Sequence, residues 1–120
     1  MNSKTSIPLE STTTLDFVKG DLTVGEHSII KGTGKPPTVK VSGTIYCEGD
    51  NTFEGNILAE NLEAQDNVTI HGDLQVENNV EVEGGRLEVY GDMTARHIDV
   101  DESLYVNKDL TVGEIGRAHV

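Results

Sequence analysis

Residues 68–85, VTIHGD LQVENN VEVEGG, decide the fold because they divide into three lines of six residues that share one shape. Each line begins with an aliphatic residue, has a second apolar residue two positions later, and ends in Gly, Asn or Asp. Apolar residues at i and i+2 share one face of a strand, whereas continuing that spacing does not keep them on one face of a helix. Each line therefore predicts a short strand followed by a corner.

The same line continues in both directions along the chain. From Ile57 to Leu110, the first residues of successive lines are five to seven positions apart. So short a period indicates a solenoid, and three lines make one triangular turn of about 18 residues. The sequence therefore predicts an all-β, single-stranded parallel β-helix. Its predicted core consists of the two apolar residues of each line: Ile45, Cys47, Ile57, Ala59, Leu62, Ala64, Val68, Ile70, Leu74, Val76, Val80, Val82, Leu87, Val89, Met93, Ala95, Ile98, Val100, Leu104, Val106, Leu110 and Val112.

The residues that close the lines predict the corners. Gly, Asn and Asp tolerate left-handed or bent backbone better than other residues do. We therefore expect such backbone at the line-closing residues, which are Asn61, Asn67, Asp73, Asn79, Gly85 and Asp92.

The chain outside these lines divides into a tail, an insertion and an end. Residues 1–14 are rich in Ser and Thr and predict a flexible amino-terminal tail. The β-helix is expected over residues 15–113. Within it, residues 31–38 contain two glycines and two prolines, which predict a loop that bulges from one corner.

The last seven residues, 114–120, abandon the pattern. Back-translated as GAG ATC GGA AGA GCA CAC GTC, EIGRAHV contains a common short-read sequencing adapter. We therefore expect residues 114–120 to be adapter-derived and non-native, and the natural protein to continue beyond Gly113. A natural polar tail is the alternative.

Composition limits the classes of function. The net charge of −12 argues against nucleic-acid binding, which needs clustered Lys and Arg, and against electrostatic adhesion to an anionic membrane. The single cysteine, Cys47, cannot form an intramolecular disulfide. Residues 1–14 lack the apolar stretch of a signal peptide, and no segment has the length of a transmembrane helix. We expect a soluble, cytoplasmic protein.

The histidines are the first candidates for chemistry. A catalytic zinc site needs three well-spaced protein ligands, and acyl transfer needs a base at a shaped cleft. The four histidines, His27, His71, His97 and His119, form no close cluster in the sequence. We expect solvent-exposed corner histidines, with no catalytic residue and no metal ligand among them.

Acidic side chains and Cys47 are the other candidates. The acidic residues lack the Gly-rich spacing of calcium-binding β-rolls and predict a solvated face. Cys47 occupies an inward position beside Ala64, which favours a buried filler over a nucleophile. We expect no cofactor and no small-molecule substrate. The acidic residues considered are Glu77, Glu81, Glu83, Glu88, Asp99, Asp101 and Glu102.

Five segments of the chain repeat a step of Gly, a polar residue and an apolar residue. They are GDLTV (20–24), SGTIYCEG (42–49), EGNILAENLEAQ (54–65), HGDLQV (71–76) and YGDMTA (90–95). Together these segments resemble the bactofilin family of polymer-forming cytoskeletal proteins. The resemblance extends over residues 17–113 and implies a prokaryotic protein with right-handed winding that forms filaments without a nucleotide. The chain departs from the family in its insertion at 31–38. In addition, the terminal coil that carries a hydrophobic assembly contact in the family is absent or replaced.

The physics of an open β-helix also predicts assembly. Its two ends expose unpaired strand edges, and end-to-end stacking without closure yields filaments. We expect a structural scaffold whose main partner is itself, with further contacts to a membrane or to other proteins through its tails. The expected assembly surfaces are Phe17, Val18, Leu22 and Val24 at one end and Leu110 and Val112 at the other.

Two other classes of protein stay open at this point. A hexapeptide-repeat acyltransferase, or a noncatalytic relative, shares the triangular solenoid, but left-handed hexapeptide helices favour inward residues at i and i+4. The steps of five and seven residues also break the strict hexapeptide period. The third class is a fibre module of a phage or a cell surface, which the missing export signal disfavours for a surface protein but not for a phage.

Overall fold

A computed structural model describes residues 4–113, and all of its regular secondary structure is strand. The strands alternate with tight corners at the intervals that the six-residue lines predict. In chain order they are β1 (Lys4–Ile7), β2 (Thr12–Thr14), β3 (Phe17–Val18), β4 (Asp21–Val24), β5 (Ile29–Lys31), β6 (Thr38–Val41), β7 (Thr44–Cys47), β8 (Asn51–Glu54), β9 (Asn56–Ala59), β10 (Asn61–Ala64), β11 (Val68–His71), β12 (Leu74–Val76), β13 (Asn79–Val82), β14 (Leu87–Val89), β15 (Met93–Ala95), β16 (His97–Val100), β17 (Leu104–Val106) and β18 (Leu110–Val112).

The strands form three six-stranded parallel sheets, and each turn of the chain contributes one strand to each sheet. The first sheet has the order β1-β4-β7-β10-β13-β16, the second β2-β5-β8-β11-β14-β17, and the third β3-β6-β9-β12-β15-β18. Each strand pairs with the strand three positions further along the chain. The predicted parallel β-helix with triangular turns is therefore confirmed, and it has six turns.

The inward apolar residues of successive turns stack in columns inside the triangular cross-section of the solenoid. Val82 pairs with Ala64 on one side and Val100 on the other, and Leu74 pairs with Ile57 and Met93, as the lines taken in threes predict. All the predicted core residues from Ile45 to Leu104 are buried. The largest fully buried side chain is Phe53, which stacks on Ile70. Because one turn alone buries neither its apolar columns nor its backbone hydrogen bonds, stability comes from neighbouring turns.

The corners differ from the sequence expectation. The Asn and Asp residues that close the lines do not have positive φ angles; the non-glycine residues that do are Glu10, His27 and Asp50. Instead, the corner side chains bind the backbone of the next turn. At the corner entering the third sheet, Asp73 Oδ1 accepts from the Asp92 backbone N–H at 2.8 Å, and Asp92 Oδ1 accepts from Asp109 at 3.0 Å. Short polar side chains satisfy corner N–H groups that the ladder leaves free.

Glycine is required where corners of successive turns stack closely. Gly55 has a φ of 131°, in the region that favours glycine. A Cβ atom there would lie 2.7 Å from the Pro37 carbonyl oxygen of the turn before it. Only glycine, which has no Cβ atom, therefore fits at this position of the corner between the second and third sheets.

The predicted flexible tail over residues 1–14 is wrong for residues 4–14. β1 pairs with β4, so that Thr5 stacks on Leu22 and Ile7 stacks on Val24, and β2 pairs with β5. These strands form the first turn of the solenoid. Polar strands are stable here because the neighbouring turn supplies backbone partners and only Ile7 has to fill the core. Residues 1–3 lie outside the described part.

The insertion is present but shorter than predicted. Lys31 ends β5 and Thr38 begins β6, which leaves residues 32–37 as the loop. Two backbone hydrogen bonds between Thr33 and Thr38 close its base, and the Thr38 hydroxyl donates to the Pro36 carbonyl at 3.0 Å. The loop therefore leaves the corner without disturbing the columns on either side of it. The predicted adapter-derived segment, residues 114–120, lies outside the described residues.

Two polar residues are fully buried at inward positions of the first half. Asn51 and Ser28 are buried in the column that continues into Val68. Asn51 Nδ2 donates to the Gly25 carbonyl at 2.7 Å, and the Ser28 hydroxyl donates to the Pro8 carbonyl at 2.8 Å. These bonds compensate for burying polar groups and tie the first three turns together.

Candidate functional site: the open ends of the solenoid

The carboxyl-terminal end exposes three strand edges. β16, β17 and β18 are the last strands of their sheets, and within residues 4–113 no strand covers them. Leu110 and Val112 stack on Met93 and Ala95 on one side, yet they are 41% and 37% exposed. The two side chains are therefore not buried as predicted, because within residues 4–113 no further turn lies above them. Val106, which was also predicted as core, is only partly buried.

The amino-terminal end is formed by β1, β2 and β3. Of the residues predicted there, Phe17 and Val18 lie in the terminal strand β3: Phe17 is 55% exposed, and Val18 is buried. The assignment of Leu22 and Val24 to this end is wrong. Both are buried in the second turn under β1, which the sequence pattern did not predict.

Both ends therefore leave strand edges that no strand within residues 4–113 pairs, and the carboxyl-terminal end also exposes apolar side chains at inward positions. Edge strands that are flat, parallel and uncapped pair readily with strands of another molecule. The side chains of Leu110 and Val112 repeat the inward positions of the turns below them. Another triangular turn placed on this end would continue the core.

The histidines that the structure describes belong to different elements: His27 lies between β4 and β5, His71 ends β11, and His97 begins β16. His27 lies 3.6 Å from Asp50, measured between Nδ1 and Oδ2. His71 stacks on Tyr90 with ring centroids 4.9 Å apart, and Tyr90 packs edge-on against Tyr105 at 5.8 Å. His119 lies outside the described residues. No group of three potential ligands occurs among residues 4–113.

The aromatic row of His71, Tyr90 and Tyr105 was not anticipated. His71 and Tyr90 each directly follow the last inward residue of a second-sheet strand, and this shared offset is the signal that could have located the contact. His71 also borders a groove of about 570 Å³ beside the loop, together with Lys31, Glu54 and the two loop prolines. The groove is a consequence of the insertion, because the loop residues Gly32, Pro36 and Pro37 line it beside the second sheet.

The acidic candidates lie at corners and at outward strand positions, two of them on the first sheet and one on the second. Glu81 pairs in register with Glu63 on one side and Asp99 on the other. A side-chain hydrogen bond with Glu83, a little desolvation, and the neighbouring carboxylates raise the pKa of Glu81. The column is thus a solvated surface on which like charges repel.

Cys47 is buried between Val24 and Ala64, as an inward filler would be. Burial alone raises the pKa of its thiol far above the ordinary value, because the interior disfavours the thiolate. The thiolate is the reactive form, so this environment suppresses nucleophilic chemistry at Cys47.

No protein-family model, curated protein or solved structure matches the chain. None of the described residues forms a helix that is long and apolar enough to span a membrane. The geometry of the ends is therefore the main ground on which a function can be proposed.

Proposed function

We propose that this protein is a structural scaffold that assembles end to end into filaments without a nucleotide, as its resemblance to bactofilins implies. The observation that supports the proposal is that Leu110 and Val112 are exposed at an edge of the three parallel sheets that no strand within residues 4–113 covers. Contact with a second copy would bury these side chains and pair the free edges of β16, β17 and β18.

The stabilisation available at such a junction is substantial. Burying the exposed part of two aliphatic side chains contributes about 1–2 kcal/mol, since a full burial contributes about 1.5–3 kcal/mol each. Up to three strand pairings add backbone hydrogen bonds of about 1 kcal/mol each. Because every copy has both ends, the contact repeats without closing and gives a filament rather than a dimer.

The test is negative-stain microscopy of the protein with and without ATP or GTP, combined with a substitution at the edge. We expect filaments in both conditions. Leu110→Lys should abolish them, because the junction would bury a charge, while changing the monomer little since Leu110 is already exposed there. Asn107→Lys adds the same charge to an exposed corner of the same turn and should leave filaments intact.

Two results would contradict the proposal. One is a wild-type protein that stays monodisperse and monomeric at high concentration. The other is a Leu110→Lys variant that polymerises like the Asn107→Lys control, which would place the assembly contact elsewhere. Thermal melting of both variants should show that each remains folded.

A further inference from the structure

The three sheets differ in charge although they wind through the same chain. Among the described strands, those of the third sheet carry no carboxylate, and their single charged residue is Lys40. The strands of the first sheet carry four carboxylates, and those of the second sheet carry two. These acidic residues are Asp21, Glu63, Glu81 and Asp99 on the first sheet and Glu54 and Glu88 on the second.

The outward column of the third sheet forms a continuous strip from one end of the solenoid to the other. Its members are paired in register from turn to turn. All are exposed except Leu58, which is half-buried. The strip consists of Phe17, Lys40, Leu58, Gln75, Thr94 and Thr111.

Carboxylates border this strip at both of its corners. Asp73 and Asp92 lie where the chain enters the third sheet, and each accepts a hydrogen bond from the backbone of the next turn. Glu60 and Glu77 lie where the chain leaves the third sheet, and they line one groove with three members of the strip, Lys40, Leu58 and Gln75. The negative charge therefore lies along the margins of the third sheet, while the outward positions of its strands carry none.

A chain with a net charge of −12 repels its own copies, and the repulsion is strongest where acidic faces meet. Like charges brought together at an interface cost several kcal/mol. When two third sheets meet, their carboxylates lie only at the margins of the contact, whereas two first sheets would oppose the column of Glu63, Glu81 and Asp99. We propose that the third sheet is the lateral face through which filaments of this protein associate with one another. This proposal rests on the end-to-end assembly described above.

The size of the face determines when the contact forms. Six strands about 4.8 Å apart, one of two residues and five of three or four residues at about 3.3 Å per residue, cover roughly 300–400 Å² per copy. A pair would bury roughly 600–800 Å², less than the roughly 1,200–2,000 Å² of stable complexes. Single copies therefore do not pair through this face. In a filament the faces of many copies act together, and the multivalent contact becomes stable.

The experiment places two carboxylates on the third sheet and compares this variant with one that has two new carboxylates on the second sheet. Gln75→Glu with Thr94→Glu alters neighbouring residues of the third sheet, and Thr52→Glu with Thr69→Glu alters neighbouring residues of the second. Both double variants lower the net charge by two and place the new carboxylates directly opposite each other. Each new like-charge pair costs about 0.2–1 kcal/mol, and the control costs more to fold because Thr69 also lies opposite Glu88. A loss of bundles confined to the Gln75/Thr94 variant is therefore not an effect of destabilisation.

The readout separates bundles from filaments. Low-speed sedimentation collects bundles, high-speed sedimentation collects all filaments, and microscopy gives the bundle width. We expect wild type and the Thr52/Thr69 variant to bundle, and the Gln75/Thr94 variant to give single filaments with an unchanged high-speed pellet. Lys40→Glu, a second variant on the same face, should also give single filaments.

Three results would overturn the lateral face. They are bundling of the Gln75/Thr94 variant at the wild-type level, equal loss of bundles in the Thr52/Thr69 control, and single filaments from the wild type. A wild type that forms no filaments would overturn the proposed function as well, so the two failures can be told apart.

Discussion

Replacing Val82 by Asp tests the assignment of inside and outside most sharply. Val82 is almost completely buried between Ala64 and Val100. Losing the burial of this side chain costs about 1.5–3 kcal/mol. An unpaired polar or charged group in the interior costs about 1–3 kcal/mol more, and a charge lies at the upper end. We expect Val82→Asp to lose about 4 kcal/mol or more, much of the roughly 5–15 kcal/mol that stabilises a typical domain.

The adjacent residue provides the control. Glu81 points outward, between Glu63 and Asp99 in register. Glu81→Lys replaces repulsion by attraction across the strands, which is worth about 0.2–1 kcal/mol in favour of the folded state. The two changes therefore act in opposite directions although they alter successive residues of β13. This contrast follows from the alternation of inward and outward side chains and from nothing else.

The assay is thermal melting followed by circular dichroism, with urea denaturation as a second measurement. At about 4–8 °C per kcal/mol, Val82→Asp should melt at least 15 °C below wild type, and Glu81→Lys at or slightly above it. Should Val82→Asp fail to fold, Val82→Ala provides a measurable loss of about 2 kcal/mol. Melting temperatures within a few degrees of each other for Val82→Asp and Glu81→Lys would refute the reasoning.

Two further changes test the corners and the acidic column. Gly55→Ala should cost about 2 kcal/mol or more in urea denaturation, because the backbone is strained at positive φ and the added Cβ meets the backbone of Pro37. Gly113→Ala, whose nearest neighbour would be 3.5 Å away, should cost far less, and equal losses would contradict the close stacking. Because the pKa of Glu81 is raised in the folded state, protonation of this carboxyl stabilises the fold at pH values below the ordinary Glu pKa. That stabilisation is lost as the pH rises through the pKa that Glu81 has in the folded protein. Glu81→Gln should therefore be more stable than wild type at pH 7, by a few tenths of a kcal/mol at an exposed site. That difference should shrink near pH 4, and a constant difference would contradict the cause.

The middle of the fold could be predicted from sequence because its columns are apolar and evenly spaced. Leu74, Val76, Val80 and Val82 stand at intervals that only stacked short strands explain, and the register of the structure matches them. Such a pattern indicates directly which residues are buried, since each inward position must be filled by an apolar side chain.

The amino-terminal turn could not be predicted because its strands carry almost no apolar signal. Residues 12–14 are three threonines, and of residues 4–7 only Ile7 is buried and apolar. Their strand state is determined by pairing with β4 and β5, a tertiary effect that overrides local composition. The same cause misplaced the end of the solenoid, so that Leu22 was assigned to the assembly surface instead of the core.

The kind of corner could not be predicted for a different reason. Asn and Asp at line ends are compatible with two roles, left-handed backbone and side-chain hydrogen bonding. The second role applies to Asp73 and Asp92, and it depends on the backbone of another turn. Sequence spacing alone does not distinguish the two roles.

Electron cryo-microscopy of assembled protein tests the central claim most directly, since it reports both the stacking of turns and the stacking of copies. Strands perpendicular to the filament axis predict a meridional layer line near 4.8 Å. The molecule is 32 × 30 × 29 Å, so successive copies should repeat at about 30 Å along the axis with continuous density across the junction. Filaments that lack the 4.8 Å line, or a protein that remains monomeric, would contradict the account.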